Sequence, residues 1–348
     1  MANTAGASRR AAAVDFRYFK PAGRRPTQYE EVTLHTQWSP RNFATQGWFS
    51  PGSNGRPMWS EDSTVLRSSD WWAYRDPGQV WFRPYVELQA KQEEAIELAV
   101  DGARRSGLFA EFSPLWRGVL ARHYAAYRYV EYGLFLSLCY AQREALSDVV
   151  ATPLVFEGLD KDRHAQAIAL YCMDLEENLP GFTDAAAESA WLTDPIFQPA
   201  REYVERLLAC RDWGEIDIAV NLVFEPLVGA LFTREFLARF AAHHGDSVTP
   251  VIVETVEVDR RRNTAAAAEL VRHLMREAAA GNGTAIEGWL AVWAPRAARA
   301  ARAFAPLFGM TERKPLEFDA AWRRLKEAWA AQIVELGLRA PAVEEGDR

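Results

Sequence analysis

The sequence predicts an all-α fold: a helical bundle that carries an extended, aromatic-rich arm at its N-terminus. Three observations predict it. From Pro84 to about residue 338, apolar residues recur at spacings of three and four, and alternating β-branched runs are few. Residues 14–84 lack that period and are rich in Pro, Gly, Ser and aromatics; they hold six of the thirteen tryptophans, Trp38, Trp48, Trp59, Trp71, Trp72 and Trp81. Finally, two pairs of helical segments, 114–143 with 147–178 and 214–243 with 249–279, carry charged residues at matching places on apolar faces.

In chain order, residues 1–13 read as a flexible tail, small and charged, with no apolar stretch of the kind that makes a secretory signal. Residues 14–84 form the arm. Disorder is a poor reading for it, because each large aromatic would leave much apolar area in water. The arm either packs on its own helices or wraps a partner, and composition leaves both open. Helices follow near 85–106, 114–143, 147–178, 196–210, 214–243, 249–279, 284–305 and 316–337. Ser113-Pro114 supplies an N-cap followed by Pro at the first helical position. Leu179-Pro180-Gly181 and Gly281-Asn282-Gly283 read as stops. Residues 85–338 make one helical domain, and 339–348 a second flexible tail. No solenoid-type repeat is present.

Composition excludes several classes of function. The 348 residues carry a net charge of −7 with no basic stripe, so nucleic acid is not an expected partner. No apolar run reaches the roughly 18 residues of a membrane span. Cys139, Cys172 and Cys210 are far apart in apolar surroundings, which reads as buried free thiols in a reducing cytoplasm rather than a disulfide or zinc framework.

The informative residues lie on the helix faces. Glu131 falls within the stripe Leu120, Tyr124, Tyr127, Leu134, Leu138, and Glu225 within Ile218, Leu222, Gly229, Phe232, Phe236. The following helices carry Asp160-Lys161-Asp162-Arg163-His164 and, ninety-nine residues later, Asp259-Arg260-Arg261-Arg262-Asn263. In four-helix carboxylate di-iron proteins, each half supplies a Glu and then a Glu-x-x-His pair. Here Lys161-x-x-His164 and Arg260-x-x-Asn263 stand in those places. A cation there repels iron and competes for the carboxylates, so Glu131, Lys161, His164, Glu225, Arg260 and Asn263 are expected to form buried ion pairs in a vestigial site. Any one of these residues alone would read as a solvated side chain; the recurrence in both halves argues against that. Pro226 is expected to bend its helix.

Other motifs carry little chemistry. Glu269-x-x-x-His273 reads as a surface ion pair, His243-His244 as a helix end, and Asp174 with Glu176 and Glu177 as an exposed acidic turn. No phosphate loop or catalytic triad context is present.

Tyr29-Glu30-Glu31-Val32-Thr33, Gln46-Gly47-Trp48 and the block Asp70-Trp71-Trp72-Ala73-Tyr74-Arg75-Asp76-Pro77 carry a family resemblance. So do the run from Arg163 through Ala165-Gln166 to Leu170-Tyr171 and Asp174-Leu175, and Phe224-Glu225-Pro226-Leu227. Across about residues 15–310 the chain resembles the β (small hydroxylase) subunit of soluble multicomponent di-iron monooxygenases, which act on alkenes, propane, methane, phenol and toluene. The resemblance implies a ferritin-like, ribonucleotide-reductase-like bundle. It also implies that this chain has no catalytic, cofactor or metal residues of its own. The di-iron centre then belongs to a catalytic α subunit in an α2β2 core, with or without a small γ subunit. NADH and flavin or iron–sulfur groups belong to a separate reductase, and a coupling protein completes the system. Trp48, Trp59, Trp71, Trp72, Tyr74, Arg75 and Trp81 are the expected interface residues. The block Trp71–Tyr85 favours an alkene-type substrate, with propane next. A reading of another class stays open: a stand-alone ferritin-like protein with an atypical metal site or an enclosed apolar ligand.

Overall fold

The computed structural model describes residues 21, 23–35, 60–310 and 317–343. Among them every regular element is helical. The arm, expected to lack helical order, contains a short helix, α1 (Gln28–His35). Its cause was readable. Thr27 Oγ1 accepts from the Glu30 N–H at 3.2 Å while Glu30 Oε2 accepts from the Thr27 N–H at 2.8 Å, a reciprocal capping box. Trp38, Trp48 and Trp59 lie outside the described residues.

The long α2 (Phe82–Ser106) ends at Gly107, whose φ of 72° suits a residue without a Cβ. Helix α3 runs from Pro114–Gly118 through a widened π-helical turn, Val119–Tyr124, into Ala125–Glu144. Then come α4 (Asp148–Asn178), the unforeseen short α5 (Ala187–Thr193), and α6 (Gln198–Ala209). Helix α7 occupies Trp213–His244 and is π-helical over Ala219–Gly229 and Leu231–Ala238. Pro226 removes a donor there, and the Ala230 N–H bonds the Glu225 carbonyl five residues back, widening the helix at that place. The chain closes with α8 (Thr249–Ala303), α9 (Ala305–Gly309) and α10 (Phe318–Glu335).

Helical backbone continues through Gly281-Asn282-Gly283, where a stop was expected, yet α8 is not a straight rod. Asn282 Nδ2 donates to the Leu274 carbonyl at 3.0 Å, and a Cβ on Gly283 would lie 3.3 Å from Met275 Cε. Eight residues of straight helix span about 12 Å, so the chain doubles back there. The contacts agree. The first limb places Arg260 against Glu225 and Thr233 of α7; the second returns along α7, with Trp293 bonded to Glu215 and Phe304 packed on Phe232.

The core forms where α3 and α4 pack together and face α7 and the first limb of α8. Tyr127 stacks on Phe232 at 4.2 Å across the two pairs. The stretch Trp213–His244 is long and apolar enough in composition to cross a bilayer, where no such run was expected, but 94% of its window is buried in the bundle. A core helix of a globular bundle reads the same way.

The described end of the arm, from Ser60 onward, lies on these helices. Polar helix termini hold it: Asp212 caps α7 and accepts from the Val65 N–H at 2.7 Å, and Ser147 caps α4 and donates to the Trp71 carbonyl at 3.0 Å. Asn282 both donates to and accepts from the Arg67 backbone, at 2.8 and 2.9 Å. Leu66 is buried, and Gly214 leaves its space: a Cβ there would sit 2.5 Å from Leu66 Cδ1.

Three minor expectations are corrected. Cys139 is exposed and Cys210 half-buried; only Cys172 is buried. His273 is buried and hydrogen-bonded to Ser68 at 3.2 Å, while Glu269 pairs with Arg272 and Arg276. Asp174 lies in the last turns of α4, half-buried and paired with Arg104 at 3.0 Å, rather than in an exposed turn.

Candidate functional site

Four helices bring Glu131 (α3), Lys161 and His164 (α4), Glu225 (α7), and Arg260 and Asn263 (α8) to one place, none more than 7% exposed. The helical stripes cause this. A side chain in the middle of an apolar face has nowhere else to point once that face is buried.

Lys161 sits between the two glutamates, its Nζ 2.6 Å from Glu225 Oε1 and 3.3 Å from Glu131 Oε2. Arg260 takes the other oxygen of Glu225 at 2.6 Å, reaches Thr233 Oγ1 at 3.1 Å and pairs with Glu257. His164 Nδ1 lies 3.5 Å from Glu131. Burial opposes ionisation of Glu225, but Lys161 and Arg260 outweigh it and hold its pKa down to about 2. The same balance, with Lys161 and His164 as partners, keeps Glu131 below its ordinary value. Lys161 is raised in turn: burial disfavours its charge, and the two glutamates more than offset that.

A second layer, which sequence reasoning missed, surrounds this centre. Asp160 accepts from Asn263 Nδ2 at 2.8 Å and pairs with Arg262; Asp259 meets His164 Nε2 at 3.1 Å and Arg163 at 2.7 Å. The bonding is reciprocal: each aspartate takes the arginine three residues on, and the His or Asn four residues on, from the opposite helix. Gln89 of α2 donates to both aspartates, at 3.2 and 3.1 Å. The signal was present in the sequence, because Asp160/Asp259 and Arg163/Arg262 share the ninety-nine-residue offset that picked out the inner residues. The two aspartates differ electrostatically. Burial and the charge of Asp259 push Asp160 up, whereas His164, Arg163 and Arg262 overcome burial and hold Asp259 low.

This arrangement fixes four helices in register and leaves its carboxylates already neutralised. Among the described residues no group of three or more His, Cys, Asp or Glu is arranged to hold a metal ion. Lys161 and Arg260 fill the space facing Glu225, and a divalent ion would have to displace both.

The expected interface residues separate. Tyr74 is buried and donates to the Ala266 carbonyl at 3.1 Å, and Arg75 bonds the Tyr74 carbonyl at 2.6 Å. Tyr74 therefore serves this chain's own packing, a correction that follows from the arm lying on its own helices; Arg75 is half-buried. Trp71 is half-buried edge-on to Trp213 at 5.4 Å; Trp72 and Trp81 are half-buried. Trp48 and Trp59 fall outside the described residues.

Comparison with known proteins adds the family. The family described as Methane/Phenol/Alkene Hydroxylase matches residues 48–278. The propane 2-monooxygenase hydroxylase small subunit of Mycolicibacterium goodii is 34% identical over 336 residues, 96% of this chain and 91% of that one. The methane monooxygenase component A beta chain of Methylococcus capsulatus is 30% identical, over 90% of this chain and 84% of its own. A solved structure of toluene 4-monooxygenase with toluene in its resting active site matches with a TM-score of 0.72 at 25% identity, covering 82% of this chain and 94% of the matched one. Xenon-pressurised phenol hydroxylase from Pseudomonas sp. OX1 shares the fold, with a TM-score of 0.77 at 20% identity over 99% of both chains.

Proposed function

The chain belongs to the methane/phenol/alkene hydroxylase family, among the small or β hydroxylase subunits, and we propose that it is the non-catalytic member of an oxygenase complex. In this reading it holds an iron-bearing α subunit in shape within an α2β2 assembly in the cytoplasm. The complex uses O2 and electrons from NADH, delivered by a reductase, to hydroxylate or epoxidise small hydrocarbons. Its own folding unit is the helical domain, residues 85–338, sealed by the end of the arm.

One observation carries the proposal: Lys161 lies between Glu131 and Glu225, at 3.3 and 2.6 Å. The residues present do not fit a di-iron centre, since a buried ammonium and a guanidinium stand where ligands would be. Iron is therefore assigned to the partner and no chemical step to this chain. For the substrate, propane is favoured over an alkene, because propane 2-monooxygenase small subunits, 30–34% identical, stand among the relatives of this chain. The α subunit is assigned the outer face of α3 and α4. Tyr132 and Leu136 on α3, and Val155, Leu159, Leu170 and Met173 on α4, are 37–58% exposed and share one face of each helix, with Asp162 and Gln166 between Leu159 and Leu170. Scattered exposed apolar residues are ordinary; a band of them marks an interaction surface.

The test is metal analysis of the isolated chain together with co-expression alongside the α subunit encoded with it. Absence of stoichiometric iron and co-purification of the two chains are expected. Iron bound one-to-one by the isolated chain would overturn the reading.

A further inference from the structure

Beside the ion-pair network lies a second buried acidic pair. Glu157 on α4 and Asp217 on α7 are 2% and 3% exposed. A single amide joins them: Asn221 Nδ2 donates to Glu157 Oε2 at 2.8 Å and to Asp217 Oδ1 at 2.9 Å. Among the described residues, neither carboxylate has a Lys, Arg or His within ion-pair distance. The contrast is complete with Glu131 and Glu225, which share Lys161, one turn along α4 from Glu157.

The pair lines a small cavity of about 10 Å³, room for a single water-sized particle. Tyr74 and Asn263 also line it. Glu157 Oε1, in this wall, has no hydrogen-bond partner. The Tyr74 hydroxyl gives its proton to Ala266, which leaves its lone pairs open. The open groups are thus oxygens. A neutral water could donate to them but would leave two buried carboxylates uncompensated, which is costly. An anion is excluded by the same charges. Magnesium keeps several of its waters, and a space for one particle has no room for them.

We propose that this cavity binds one monovalent cation of about the size of water, sodium or potassium, between Glu157 and Asp217. The ion would compensate the pair as Lys161 compensates its neighbours, and would join α4 to α7 one turn further along. Burial pushes Asp217 up to about 6 and raises Glu157 as well, so without the ion the pair takes up a proton instead. Lys161 and Glu225 act on Glu157 from the adjoining network, with opposite signs.

The test uses the full chain at pH 8 in sodium, potassium or tetramethylammonium chloride at equal ionic strength. A saturable rise in Tm with sodium or potassium over tetramethylammonium is expected, as ligand linkage requires. Glu157→Gln should abolish the rise. Crystals soaked in thallium(I) should show an anomalous peak between the two carboxylates. Should Glu157→Gln fail to fold, Asp217→Asn and the thallium soak still decide. Equal Tm values in the three salts and no anomalous peak would overturn the proposal and leave a shared proton as the occupant.

Discussion

The α3–α4 pair and the α7–α8 pair are alike inside and unlike outside. Inside, they exchange bonds across a pseudo-symmetric centre: Asn263 of α8 bonds Asp160 of α4, and His164 of α4 meets Asp259 of α8. Outside, α7 is almost wholly covered, because α10 and the returning limb of α8 pack along it. The outer stripe of α3–α4 has no such cover, and Leu159 and Met173 stand 43% and 58% exposed. Equivalent surfaces of a duplicated bundle should need equivalent burial. The chain supplies it on one side only, and the other side is the face proposed above for the α subunit.

The same comparison separates the two glutamates. Glu225 receives both Lys161 and Arg260, whereas Glu131 shares Lys161 and has His164 at the longer distance of 3.5 Å. Glu225→Ala should leave two buried cations short of a partner and cost about 3–5 kcal/mol by chemical denaturation. Glu131→Ala should cost less, since Lys161 keeps Glu225. Equal losses would break the distinction. Next in size, Leu66→Ala should cost about 2–5 kcal/mol and loosen the arm, visible as hydrogen exchange at Val65 and Arg67, whose amides bond Asp212 and Asn282.

Acidity gives a smaller effect with opposite signs at two places. Asp217, with a folded pKa of about 6 above its unfolded value, favours the fold at low pH. In tetramethylammonium buffer that contribution should fade as pH rises from about 4 through about 6, by roughly 2–3 kcal/mol. Asp217→Asn should flatten this slope. Glu225, held near 2, stabilises the fold above the ordinary carboxylate range and loses that contribution as pH falls toward 2. The smallest stability effect belongs to the uncovered face. Leu159→Asp should change the isolated chain by no more than about 0.5 kcal/mol yet abolish co-purification with the α subunit. Unimpaired assembly would move the interface elsewhere.

Much of this was legible in the sequence. Helical periodicity located the long helices to within a few residues, because burying one face of a helix writes a 3.6-residue period into the chain. The ninety-nine-residue offset drew attention to Lys161, His164, Arg260 and Asn263. The same offset relates Asp160 to Asp259 in those segments and marks them equally. The capping box at Thr27 and Glu30 was legible and missed. The reversal within α8 was masked, because its Gly-Asn-Gly signal does not distinguish a helix end from a helix that folds back.

By itself the sequence determined which faces are apolar, which residues interrupt them, and which family the chain resembles, since each depends on residue type and spacing along one element. Tertiary structure alone decided which charges meet. Partner choice across helices depends on rotation and register over distances that spacing does not encode, so Lys161 could serve one glutamate or both until α3, α4 and α7 were packed. It likewise decided that Tyr74 faces inward and Leu159 outward, because burial belongs to the assembled surface rather than to the residue.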